Sequence, residues 1–123
     1  MTDDGANLHS TKVYKIVPLA LWRTAEESRL FAGSVDDLRD GFIHLSAAKQ
    51  IAGTLDKYFR NQPDLLLIAF DSADLEPHLK WEASRGGDLF PHYYNPLPID
   101  FALWQRHLPI DADGRPEFNE DTL

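Results

Sequence analysis

Leu65-Leu66-Leu67-Ile68-Ala69-Phe70 is an unbroken apolar run in the middle of the chain, and Pro63-Asp64 precedes it. An apolar run without alternation predicts a central strand that is covered on both faces. The chain has 123 residues, of which 43% are hydrophobic, enough to bury one core of ordinary size. We therefore expect a single globular domain built around this strand.

The elements before the central strand are predicted to be mostly helical. Lys12 to Val17 is rich in Val, Tyr and Ile and predicts a first strand. Three predicted helices follow, from Pro18 to about Arg29, from Val35 to Arg39 behind a Ser34 cap, and from Ser46 to Arg60.

The elements after the central strand are predicted to be mostly strands. Leu79 to Ala83 alternates, Arg85 to Asp88 has turn chemistry, Asn95 to Pro98 is a rigid loop, and Ile99 to His107 alternates again. Helices early and strands late favour an α+β fold. A Rossmann fold is disfavoured because no Gly-x-Gly-x-x-Gly follows the first strand.

The charge and composition exclude several classes of protein. The absence of cysteine rules out disulfides, a thiolate nucleophile and cysteine-ligated metal centres. Much of the net charge of −8 lies at the ends: residues 111–123 hold five acids against one arginine. We predict a disordered head (1–11), a domain (12–110) and a flexible acidic tail (111–123). The nearly neutral body disfavours general nucleic-acid binding.

The sequence also bears on where the protein works. No charged-then-apolar leader is seen, and the longest apolar run, Leu65 to Phe70, is far too short to span a bilayer. We therefore predict a cytoplasmic protein without a membrane partner. Oligomeric state is left open.

Asp40-Gly41-Phe42-Ile43-His44-Leu45-Ser46 predicts a histidine at the carboxyl end of a strand, with Ser46 capping the next helix. Such positions often bind small molecules or anions. Two interpretations of His44 remain: a semi-buried ring bonded to a carbonyl, or a neutral imidazole that positions a ligand hydroxyl or acts as a base. Ser46 is better explained as a cap than as a nucleophile.

A second polar cluster is Trp81-Glu82-Ala83-Ser84-Arg85-Gly86-Gly87. Glu82 is either a solvated strand residue or a functional carboxylate. Trp81 offers a flat apolar wall, and Arg85 offers a planar cation suited to phosphate or carboxylate. Gly86 and Gly87 either form a hairpin turn or admit a ligand close to the backbone.

A third group of candidates follows Pro91. His92 precedes two phenols, Tyr93 and Tyr94, which either stack on a ligand ring or belong to the core. A metal site formed by His44, His92 and Glu82 is disfavoured, since their spacing contains no local ligand pair.

Several of these motifs together resemble one known family. The stretches are Asp40 to Ser46, Gln50 with Thr54-Leu55 and Phe59, Leu79 to Gly87, and Phe90-Pro91-His92. They resemble the small bacterial and plant family numbered 952 among domains of unknown function, over about Tyr14 to Leu108. Where members of that family usually carry Leu-Tyr-Gly, this chain has Tyr93-Tyr94-Asn95.

The resemblance implies an ADP-ribosyltransferase-like fold, with NAD bound in a cleft between two small, mainly antiparallel sheets. By position, His44 resembles the histidine that holds the nicotinamide ribose, and Glu82 resembles the late glutamate of that larger group. Trp22, Tyr93 and Tyr94 correspond to stacking aromatics, and Arg85 would hold the pyrophosphate. The implied activity is ADP-ribosyl transfer or NAD glycohydrolysis, with NAD as substrate.

Three hypotheses therefore remain. The chain is an enzyme, or a degenerate enzyme, acting on NAD or an ADP-ribosyl compound. Alternatively it is a non-catalytic module that binds a small anion or nucleotide through Arg85 and the glycines. The third and least favoured hypothesis is a metal-assisted hydrolase that uses His44 and His92.

Overall fold

The computed structural model describes residues 11–123, apart from the side chain of Arg85. Its strands and α-helices, in chain order, are β1 (Lys12–Pro18), α1 (Leu19–Ser28), β2 (Leu30–Phe31), α2 (Val35–Asp40), β3 (Ile43–His44), β4 (Ser46–Ala47), α3 (Ile51–Tyr58), β5 (Leu65–Asp71), α4 (Ser72–Leu75), β6 (Leu79–Ala83), β7 (Leu89–Tyr93), β8 (Leu97–Pro98) and β9 (Trp104–Leu108). The disordered head expected at residues 1–11 lies, except for Thr11, outside the described residues.

The strands form small antiparallel sheets, so the expected α+β class is confirmed. The largest has the order β4-β1-β5-β9, and the others are β3-β7-β6 and the pair β2-β8. As expected, β5 is central, and Leu65 to Phe70 are all buried.

Two apolar clusters lie on opposite faces of the four-stranded sheet. On one face, residues such as Ile16 and Leu67 pack with Ile51 and Leu55 of α3. On the other face, a cluster that includes Trp22 of α1 reaches the sheet β3-β7-β6. That three-stranded sheet therefore has one face in the core, and its other face is available to a site.

Ser46 does not cap a helix, contrary to the prediction from the sequence. It is the first residue of β4 and pairs with Tyr14 of β1, while α3 begins only at Ile51. A serine is compatible locally with either role, and pairing with a distant strand determines the outcome. The helix expected over Ser46 to Arg60 is therefore shorter, and His44 does not lie beside its amino terminus.

The late segments are also shorter than expected. Within the predicted loop Asn95 to Pro98, Leu97–Pro98 form β8 and pair with β2, and the last strand begins at Trp104.

In the segment 111–123, Phe118 packs against the α3 side of the core and Arg106 donates to Thr122 Oγ1 at 2.7 Å. Among residues 11–123, no helix has the length and apolar character needed to cross a bilayer.

Candidate functional site

A cleft of about 560 Å³ opens between α2, the second half of α3 and the outer face of the sheet β3-β7-β6. This volume is in the range of small-molecule sites. Its polar lining includes Lys15, Arg39, His44, Ser46, Thr54 and His92, and its apolar lining includes Leu21, Phe59 and Phe90. Charged, hydroxyl and aromatic groups therefore face one volume.

Helix α2 brings three carboxylates, those of Asp36, Asp37 and Asp40, to this cleft. Ser34 caps it as predicted: its Oγ accepts from the N–H of Asp37 at 3.3 Å, and Oδ2 of Asp37 accepts from the N–H of Ser34 at 2.9 Å. Gly41 ends the helix with φ at 86°, a conformation that favours glycine. The chain then turns directly into β3, which carries His44.

Asp37 is the centre of a buried polar network. Its Oδ1 accepts from Lys15 Nζ at 3.1 Å and from the His44 backbone N–H at 3.0 Å, and lies 2.7 Å from His44 Nδ1. Lys15 Nζ also donates to the carbonyl of His44 at 3.0 Å. Asp37 and Lys15 are 2% and 5% exposed, so both charged groups are almost completely buried.

Burial acts on both charges of this pair. It raises the pKa of the Asp37 carboxyl, but the His44 hydrogen bond and the Lys15 charge outweigh it and leave that pKa well below its usual range. Burial lowers the pKa of Lys15, and Asp37 opposes that shift. The folded protein thus holds Asp37 ionised, with Lys15 beside it.

His44 has a carboxylate at each ring nitrogen. Nδ1 lies 2.7 Å from Asp37, and Nε2 lies 2.9 Å from Oδ2 of Asp40. Carboxylate oxygens accept hydrogen bonds, so both contacts are favourable together only when both ring nitrogens carry protons. The sequence had left open a ring bonded to a carbonyl or a neutral imidazole; the structure places a carboxylate at each ring nitrogen instead.

His92 forms the second histidine–carboxylate pair of the cleft. Its Nδ1 lies 2.8 Å from Oε1 of Glu82, which also accepts from the hydroxyl of Tyr94 at 2.7 Å. The hydrogen bond from the Tyr94 hydroxyl lowers the pKa of Glu82, and the hydrogen bond with His92 lowers it further. The bond between Tyr94 and Glu82 also raises the pKa of Tyr94. The ring of His92 is therefore fixed from behind by Glu82.

Phe42 sets the spacing between the two imidazoles. Its ring stacks on His92 with centroids 4.0 Å apart, and its centroid lies 4.6 Å from that of His44. The rings of His44 and His92 are edge-on at 5.7 Å. Because β3 and β7 pair His44 directly with His92, backbone register and aromatic packing both hold the two rings at this distance.

The structure brings some of the sequence-predicted residues together. His44, Ser46 and His92 line the cleft, while Glu82 and Tyr94 lie one step behind it, on His92. His44 therefore lies on the cleft directly, whereas Glu82 reaches it only through its contact with His92. The side chain of Arg85 lies outside the described part of the chain.

The remaining predicted aromatics do not line the cleft. Trp22 and Tyr93 are buried in the core; the ring of Trp22 contacts Phe31 and Phe70, and that of Tyr93 contacts His78. Trp81, in the middle of β6, is 39% exposed and is not among the residues that line the cleft. Trp22 and Tyr93 therefore act in packing, which the sequence had left as one of two options for Tyr93.

Gly86 and Gly87 belong to the hairpin turn between β6 and β7. Their φ angles are 71° and 85°, and nothing lies within 4 Å of a Cβ built on either residue. Backbone conformation therefore explains both glycines. The hairpin reading, one of the two that the sequence allowed, accounts for this geometry.

Sequence analysis missed Lys15, Asp37, Asp40 and Phe42 as site residues. A lysine between Tyr14 and Ile16, in an otherwise apolar strand, was a signal that could have been used. As for metals, no group of three or more His, Asp or Glu side chains among the described residues could hold an ion.

Comparison with known proteins places the chain in a family. The model of the family described as "Protein of unknown function (DUF952)" matches residues 16–105, which include every cleft residue named above except Lys15. No curated protein matches the chain.

The chain is also similar to solved structures of another protein. The chain is similar to the crystal structure of protein CC0527 from Caulobacter crescentus, with 48% identity, 87% of this chain and 94% of that chain covered, and a TM-score of 0.84. The solution NMR structure of CC0527 gives 46% identity, 91% and 96% coverage and a TM-score of 0.80. The chain therefore belongs to the DUF952 family of proteins of unknown function.

Proposed function

We propose that the cleft binds NAD or an ADP-ribosyl compound and carries out ADP-ribosyl transfer or NAD glycohydrolysis on an ADP-ribosyltransferase-like fold. The observation that carries this proposal is the pair of histidines, His44 and His92, each held by a carboxylate and both facing one cleft. Small antiparallel sheets around a cleft are what the resemblance implied for this fold.

The polar lining suits a ribose. Vicinal hydroxyls both donate and accept hydrogen bonds, and the hydroxyls of Ser46 and Thr54 offer complementary groups within the cleft. Phe59 and Phe90 add apolar wall for a flat ring. The two histidine rings are held in place before a ligand binds, so binding does not have to order them.

The chemistry that this cleft would support is cleavage of the bond between the ribose and nicotinamide. The bonding pair leaves with the nicotinamide nitrogen, and water or an acceptor hydroxyl adds to the sugar carbon and loses a proton. Positive charge develops on the ribose, and nearby carboxylates stabilise it. The carboxylates that line the cleft are Asp36, Asp37 and Asp40, so in this proposal Glu82 positions His92.

Calorimetry with ADP-ribose and NAD tests the binding step, and chromatographic detection of free nicotinamide tests turnover. We expect His44→Ala to abolish binding, while the control His107→Ala binds as the wild type does. His107 is exposed on β9, 3.8 Å from Asp64, and lies outside the cleft lining. If wild-type protein gives no heat with either ligand at millimolar concentration, the proposal is wrong.

A binding module without turnover is the second candidate. It is favoured by one observation: the side chain of Glu82, the carboxylate expected to be catalytic, points to His92 and Tyr94 and does not line the cleft. Binding of ADP-ribose with no release of nicotinamide from NAD would support this candidate. Turnover that falls in Glu82→Gln would exclude it.

A further inference from the structure

The carboxylate of Asp40 is held at the mouth of the cleft by donors from two residues. Arg39 Nε donates to its Oδ1 at 2.8 Å and Arg39 Nη2 to its Oδ2 at 3.1 Å. On the opposite side, His44 Nε2 lies 2.9 Å from Oδ2. We propose that Asp40 occupies the position of a phosphate-type oxyanion of the ligand, and that Arg39 and His44 form the subsite for that oxyanion.

The donor set matches an oxyanion. A guanidinium is a planar fork that cannot accept, and a doubly protonated imidazole donates from both nitrogens, so this pair is complementary to acceptor oxygens alone. A phosphate presents several such oxygens, as the carboxylate of Asp40 does. A cationic ligand would instead face donors that it cannot satisfy.

Asp40 is displaceable, and Asp37 is not. The side chain of Asp40 is 32% exposed, whereas that of Asp37 is 2% exposed and is bound by buried Lys15. Asp40 is also the last residue of α2, where the negative end of the helix disfavours a carboxylate. Rotation of Asp40 into solvent therefore breaks surface contacts only.

The other two carboxylates of α2 have cationic partners of their own. Asp37 is neutralised by Lys15 at 2.9 Å, and Asp36 contacts Arg39 Nη1 at 3.2 Å. When Asp40 rotates away, Nε and Nη2 of Arg39 and Nε2 of His44 all lose the carboxylate that accepts from them. A bound phosphate oxygen restores it, so ligand binding exchanges an internal anion for an external one.

This inference rests on the proposed function in treating the cleft as a ligand site. It predicts a change in anion affinity in Asp40→Asn that is opposite in sign to the change expected if Asp40 itself bound the ligand. If Asp40 competes with the ligand, Asp40→Asn binds anions more tightly; if Asp40 binds the ligand, the same variant binds more weakly. Asp36→Asn is the matched control, because it removes one charge from the same helix without vacating the contact with His44.

The experiment is NMR titration of His44 ring resonances with inorganic phosphate, alongside calorimetry with ADP-ribose, on wild type, Asp40→Asn and Asp36→Asn. We expect phosphate to move the His44 resonances and to bind Asp40→Asn roughly threefold more tightly than wild type or better, a gain typical of removing an exposed charge contact. Asp36→Asn should gain less. Equal or weaker phosphate binding by Asp40→Asn, or unmoved His44 resonances, would overturn the inference.

The two ligands separate this inference from the proposed function. If ADP-ribose binds wild type through His44 but Asp40→Asn binds it no more tightly, the oxyanion subsite is wrong and the proposed function stands. If phosphate binds at His44 more tightly in Asp40→Asn while ADP-ribose does not bind at all, the subsite stands and the proposed function fails.

Discussion

Replacing Asp37 with asparagine strips Lys15 of the carboxylate that neutralises it inside the protein. Lys15 Nζ lies 2.9 Å from Oδ2 of Asp37, and both residues are buried. The asparagine keeps nearly the same shape but carries no charge, so the variant isolates the electrostatic contribution. It leaves a buried ammonium whose remaining described acceptor is the carbonyl of His44.

The loss of unfolding free energy depends on whether Lys15 stays charged or releases its proton in the variant. Removing one partner of a buried ion pair costs about 3–5 kcal/mol. The cost is limited because the folded variant can release the proton of Lys15. Neutralising a lysine of pKa about 10.4 at pH 7 costs about 1.4 kcal/mol per pH unit, or about 5 kcal/mol in all. We therefore expect Asp37→Asn to lose about 3–5 kcal/mol of unfolding free energy at pH 7.

The pH dependence of stability provides a second, independent test of the same reasoning. Burial lowers the pKa of folded Lys15, and without Asp37 nothing of comparable strength opposes it. Between that lowered pKa and about 10.4, the unfolded chain binds more protons than the folded one, so stability rises with pH by up to about 1.4 kcal/mol per unit. Because the pKa of Lys15 is lowered in the wild type as well, both proteins gain stability with pH; the variant, in which that pKa is lowered further, gains more, so the difference in unfolding free energy should narrow from pH 7 to pH 9.

Urea unfolding followed by tryptophan fluorescence at pH 7, 8 and 9 measures both effects, since Trp22 is fully buried. The control is Asp36→Asn, which removes an exposed carboxylate from the same helix and should change stability by less than about 0.5 kcal/mol. The reasoning is refuted if Asp37→Asn is as stable as the control, or if the gap is the same at all three pH values.

Three further predictions follow from the same structure. The pKa of Asp37 is lowered in the fold, so the stability it contributes is present above the ordinary carboxyl value of about 3.9 and is lost as pH falls further; acid unfolding of wild type should show a dependence that Asp37→Asn lacks. Ser34→Ala removes the cap of α2 and should cost about 1 kcal/mol in urea unfolding, and an unchanged midpoint would count against the capping box. Trp22→Phe should lose about 1–3 kcal/mol of stability yet keep ADP-ribose affinity within about twofold, whereas a large affinity loss would place Trp22 in the ligand site.

Much of the fold could be predicted because its signals are local. The apolar run of β5, the Ser34 cap of α2 and the glycine turn between β6 and β7 each depend on neighbouring residues, and the structure confirms all three. The two-residue strands β2 and β8 could not be found, since Leu30 pairs with Pro98 across most of the chain. No local pattern encodes such a pairing.

The site was predicted in part for a similar reason. His44 and His92 stand out because each is a titratable side chain directly beside apolar residues, and both line the cleft. Asp37 was overlooked because an acid in the first turn of a short helix is ordinarily solvated. Its burial arises from Lys15, which lies 22 positions earlier on another element, so tertiary contact converts an ordinary helix acid into the support of His44.

An NMR titration of ¹⁵N-labelled protein with ADP-ribose tests most directly whether this cleft is a ligand site. The account predicts that the largest shifts fall on residues of the cleft, among them Asp40, His44, Ser46, Thr54 and His92, with little change at Phe118, which does not line the cleft. Shifts that cluster away from the cleft, or no shifts at millimolar ADP-ribose, would contradict it.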